Sequence, residues 1–140
     1  QKHFCWRMGI EEIDSKNLNE IMVIILNESE KNKIDFANMF YDFFGGRNSI
    51  LDCIKTNYGK KYKINEFSKV VEILKESFPS NGALEKKHEL DNNRQNMLIN
   101  EVEQIWSEID KNDNWALLNE KVYNVRRLGN LLESKKLVYL

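Results

Sequence analysis

A chain of 140 residues with 41% hydrophobic and 31% charged side chains has the makeup of one folded domain, and it is long enough to bury a core of its own. The formal charge of −1 excludes a molecule drawn as a whole to nucleic acid or to an anionic membrane surface. No apolar run approaches the ~20 residues that span a bilayer, the longest being residues 21–26, so membrane insertion is not expected.

One proline and six glycines speak against a turn-rich sandwich and for long helices. In chain order, Ser15 precedes Leu18, Ile21, Met22, Ile25 and Leu26, a first helix apolar nearly all round and therefore expected to be buried. Next comes a stretch with Phe36, Phe40, Tyr41, Phe43 and Phe44. On a helical wheel Phe36, Met39, Phe40, Phe43 and Phe44 share one arc, with Asn38 and Asp42 opposite. Asp35 is its expected N-cap and Gly45-Gly46 its stop. Ser49 opens a helix through Ile50, Leu51, Ile54 and Tyr58 to Gly59. Asn65 opens another, through Phe67, Val70, Val71, Leu74 and Phe78 to Pro79.

"PSNG" (79–82) reads as a turn. A long helix follows, polar from Glu85 to Asn96 and then carrying Leu98, Val102, Ile105, Trp106 and Ile109. "DKNDN" (110–114) ends it, and a last helix carries Trp115, Leu118, Val122, Val125, Leu131 and Leu132. The expectation is an all-α, single-domain bundle of about six helices over residues 1–140.

Nothing in this pattern builds a catalytic centre or a cofactor or metal site. His88-Glu89 begins like a zinc-binding H-E-x-x-H helix, but Asn92 stands where the second histidine belongs. In "DKNDNWALLNEK" (110–121), Asp110, Asn112 and Asn114 occupy the first ligand positions of a calcium loop. Trp115 then blocks the glycine turn, and Lys121 puts a cation at the bidentate ligand position. A helix end followed by an Asn N-cap accounts for the same residues. His3 near Cys5 lacks the orienting third group of a nucleophilic site. Gly45-Gly46 has neither the strand nor the lysine of a phosphate loop. The basic pairs (60–61, 86–87, 126–127 and 135–136) are scattered among acids as solvated faces. The chain is therefore read as a non-enzyme whose surface binds protein.

Cys5 and Cys53 allow either one bridge closing a large loop, which fits a secreted protein, or two free thiols, which fit a cytoplasmic one. Asn27-Glu28-Ser29 is a glycosylation acceptor at Asn27. The start at Gln1 fits a processed secreted product or a trimmed chain equally. High Asn and Lys content fits an AT-rich genome.

Two stretches, "NESEKNKIDFANMFYDFF" (27–44) and "QNMLINEVEQIWSEI" (95–109), resemble the class II α-helical cytokines of the interferon-gamma and interleukin-10 superfamily. The first is similar to the end of that family's first helix and its aromatic central helix. In the second, Asn100, Glu101, Val102, Gln104 and Ile105 stand on a late-helix pattern. Residues 115–132 look like the last helix of the interleukin-10 relatives. The resemblance implies a secreted six-helix signalling protein that binds cell-surface receptors, with a homodimer among the forms the family takes. It implies receptor contacts at Glu28, Ser29, Lys31, Lys33 and Asn100, sugar on Asn27 and a Cys5–Cys53 bridge. The alternative is an intracellular helical inhibitor, adaptor or immunity protein that binds a protein partner through a groove or helix face.

Overall fold

A computed structural model describes residues 2–32 and 34–133. Among these residues the chain is all-α, with eight α-helices, one 3₁₀ helix and no strand. The helices are α1 (Lys2–Met8), α2 (Ser15–Asn32), α3 (Phe36–Asp42), α4 (Arg47–Lys55), α5 (Phe67–Leu74), α6 (Ala83–Asn92), α7 (Ile99–Asn112) and α8 (Ala116–Glu133); the 3₁₀ helix is Tyr58–Lys63. Three differences raise the count above the expected six.

The first is α1, a two-turn helix that lays Cys5 and Met8 into the core. The second is the end of α4 at Lys55, followed by the 3₁₀ helix. Gly59 sits so close to α4 that a Cβ there would lie 1.9 Å from the Cys53 carbonyl oxygen, so only a bare backbone fits. The third is the division of the expected long helix into α6 and α7. Within residues 93–98 only Asn93 and Asn96 are poor helix formers, and side chains from elsewhere claim the segment. The Tyr41 hydroxyl takes both the N–H and the carbonyl of Gln95 at 2.9 Å, and Arg94 reaches Asp42.

The main core gathers Met8, Ile21, Ile25, Met39, Phe43, Ile50, Tyr62, Phe67, Val70 and Leu74. Phe43, Tyr62 and Phe67 form a run of tilted rings, with centroids 4.7 and 5.6 Å apart. The Asp35 side chain caps α3, accepting from the backbone of Ala37 and Asn38. Helix α3 rotates away from the expected wheel: Tyr41 and Asp42 are buried, whereas Phe36 and Phe40 are half-buried. Helix α2 packs one side only against α5, burying Leu18, Ile21, Ile24 and Ile25 while Met22, Val23 and Leu26 face solvent. Its all-round apolar character thus does not make it a fully buried helix.

A smaller cluster of Tyr41, Phe44, Ala83 and Leu90 receives Leu128, Leu131 and Leu132. It docks the C-terminal end of α8 on α6 and α3. The rest of α8, and all of α7, projects from this anchor. No described helix is long and apolar enough to cross a membrane.

Candidate functional site

Helices α7 and α8 form a hairpin. Asp113 ends α7 in the left-handed conformation, its N–H donating to the Ile109 carbonyl and the following N–H, of Asn114, to that of Glu108. The Asn114 side chain then accepts from Ala116 N–H at 3.1 Å and starts α8. These are the residues of the incomplete calcium loop, and here they turn one helix into the next. The arms are held by Lys121, a buried ammonium that donates to the Asn96 carbonyl at 2.6 Å and to Glu101 at 2.8 Å.

Along α7, Leu98, Val102, Ile105 and Ile109 recur at steps of four, three and four. Along α8, Trp115, Leu118, Val122, Val125 and Gly129 recur at steps of three and four. That spacing is the 3.5-residue period of helices that pack side by side along a seam. In an isolated pair the two seams would face each other and close. Here both line one open face. Helix α7 contains no buried residue, and in α8 only Lys121 is buried. Trp106 is 63% exposed, Trp115 50% and Met97 73%. Between the arms lies an apolar groove of about 490 Å³. Charges stand around it: Glu103, Asp110 and Lys111 surround Trp106 on α7, and Arg126 lines the groove beside Val122 on α8. Scattered exposed apolar residues are ordinary on a monomer, whereas a continuous two-helix apolar face of this kind is not.

A second pocket, of about 520 Å³, carries several charged side chains and lies between α4, the 3₁₀ helix, α6 and Arg94. At its floor the buried Asp42 carboxylate has both oxygens engaged, one by the Tyr62 hydroxyl at 2.6 Å and the other by Arg94 at 2.8 Å. Arg94 continues to Asp91 at 2.7 Å, and Lys87 joins Asp91 to the Tyr41 carbonyl. Burial pushes the Cys53 thiol up to about 11, helped by the nearby Asp42 charge. Burial, then the hydrogen bond to Asp42, drives the Tyr62 phenol far above its usual range. Burial works to lower Arg94, and the hydrogen bonds to Asp42 and Asp91 outweigh it. Every charge here has a partner, and the thiol is held protonated. The cluster is a lock that ties residues 93–98 to α3.

The residues singled out from sequence fall on different elements. Asn27 is exposed on α2. Glu28 is only 3% exposed, with Lys31 4.0 Å from its carboxylate and itself in solvent. The Ser29 side chain and Lys33 lie outside the described residues. Asn100 is exposed on the first turn of α7, where the helical period places it away from the apolar face. Cys5 is buried on α1 and Cys53 half-buried on α4, both free thiols. His88 stands on the exposed side of α6 with its ring against the Asn92 amide at 3.2 Å. Among the described residues no group of His, Cys, Asp and Glu could hold a metal ion.

Sequence reasoning assigned Trp106, Trp115 and Val122 to the last two helices without distinguishing an open face there. The signal was present in the full seams of two successive helices. No protein family, curated protein or solved structure matches the chain.

Proposed function

We propose that the protein acts as a helical ligand for other proteins, and that the α7–α8 hairpin is its binding surface. The open apolar face of two seamed helices, with Trp106 and Trp115 on it, is the observation that carries this reading. Large rings in a desolvated centre with charges at the edge are the usual anatomy of such a surface. In its particular form the proposal is a secreted, cytokine-like ligand of a cell-surface receptor. The all-α fold supports it, as do the two resembling stretches, which fall on the end of α2 with α3 and on α7. Lys31 on α2 and Asn100 on the side of α7 away from the apolar face then offer exposed polar contacts, Asn27 an exposed site for sugar, and Cys5 with Cys53 the candidate bridge.

One observation favours a second reading. Cys5 and Cys53 stand as free thiols, which suits an intracellular inhibitor, adaptor or immunity protein using the same face. Two measurements separate these forms. Saturable binding of labelled protein to intact cells, lost on Trp106→Asp and accompanied by no titratable thiol in denaturant, supports the secreted ligand. Two thiols per denatured chain and no binding to any cell surface would overturn it in favour of the intracellular form.

A further inference from the structure

We infer that the occupant of the open face is the same face of a second copy of this chain, so that two α7–α8 hairpins close into a four-helix bundle. The inference rests on the reading of this face as a protein-binding surface and names its partner.

The seams come first. A 3.5-residue repeat is satisfied when each apolar residue inserts among four residues of a facing helix. One hairpin leaves two such seams open on the same side, and the surface that offers two more at matching separation is another hairpin of the same kind. Size comes second. Taking ~200 Å² for a large apolar side chain and the exposures of Met97, Leu98, Val102, Trp106, Trp115, Val122 and Val125, the face leaves roughly 700 Å² uncovered. That is about what each partner contributes to a specific interface, and more than the largest apolar patch of a typical monomer.

Charge comes third. A two-fold interface must complement itself. A two-fold axis running along the hairpin lays α7 of one copy on α8 of the other. Glu103 and Arg126 stand at comparable heights above the turn at residues 113–114, so this relation sets acidic Glu103 beside the partner's Arg126, twice. The same relation brings Met97 level with the partner's Gly129, above which a Cβ would meet nothing within 4 Å. A bulky exposed side chain thereby faces an empty position.

Sedimentation equilibrium of the full chain between ~1 and ~100 µM tests the proposal. The expected species is a dimer of twice the 16.6 kDa chain mass. Trp106→Asp and Val122→Asp should each weaken it at least about tenfold, with helical content unchanged. Glu103→Arg and Arg126→Glu should each weaken it, and the double exchange should restore it. A wild-type chain that stays monomeric throughout, or a dimer indifferent to both Trp106→Asp and Val122→Asp, overturns the inference. A monomer whose cell-surface binding is nevertheless lost on Trp106→Asp overturns the second copy alone and leaves the protein-binding reading standing. A dimer that dissociates on these substitutions supports the inference even where binding to cells is absent and the receptor reading falls.

Discussion

The hydroxyl of Tyr62 donates to the buried carboxylate of Asp42 across 2.6 Å, joining the 3₁₀ helix to α3 through residues twenty apart in sequence. Arg94 meets the other carboxylate oxygen at 2.8 Å, so this one acid fixes three segments, including the connection from which α7 departs. Tyr62→Phe leaves the shape of the core intact and takes one donor from a charged acceptor, and should cost about 1.5–3 kcal/mol in chemical denaturation. Arg94→Met should cost about as much, since Asp42 then loses its counter-ion.

The same pair predicts an alkaline limit. In the unfolded chain Tyr62 ionises near the usual ~10, whereas folding holds its proton well above that. Cys53 moves in the same direction, from 9.0 to about 11. Both folded pKa values are raised, so both contributions are complete below the unfolded values and are lost as pH rises. Stability should be level near pH ~8 and fall from pH ~9 upward, where the unfolded state releases protons that the native state retains. Urea midpoints measured across this range check it, and Tyr62→Phe should flatten the fall above pH ~10.

Cys53 should also be slow to alkylate. A rise from 9.0 to about 11 lowers the thiolate fraction at neutral pH roughly a hundredfold. Where the thiol is free, iodoacetamide labelling followed by mass spectrometry should show little modification of native protein and rapid modification in denaturant.

Phe43→Ala should cost about 3–5 kcal/mol, because its ring is wholly buried against Tyr62. Phe40→Ala should cost less, about 1–2 kcal/mol. Its ring is half-buried, packed edge-on to Phe4 at 5.6 Å and covered by the Arg7 guanidinium. Equal losses in the two variants would contradict the orientation of α3.

That orientation shows how far the sequence could be read. The helix class, the cap at Asp35, the turn at residues 79–82 and the break after α7 all follow from local chemistry, and they are legible residue by residue. Asp42 is not. A wheel places it opposite the apolar arc, and only its long-range partners Tyr62 and Arg94 explain why a carboxylate goes inside. The division of α6 from α7 has the same origin, since Tyr41 claims Gln95 from more than fifty residues away. Short α1 carries too little periodicity to announce itself. The open face was half legible: the seams on α7 and α8 are plain in the spacing. That they point outward depends on α8 being anchored near its C-terminal end, through Leu128, Leu131 and Leu132 with the Arg127–Glu89 ion pair beside them, a matter of packing and not of pattern.

The central claim is that the α7–α8 face is open in the folded chain and covered by protein in use. The most direct measurement is the denaturation curve of Trp106→Asp taken beside its binding isotherm on intact cells. At concentrations where the chain is monomeric, stability should lie within about 0.5 kcal/mol of wild type, as for a surface site, together with loss of saturable binding. A stability loss of about 3 kcal/mol or more would show a ring packed within the fold, and undiminished binding would show that the partner sits elsewhere; either would contradict it.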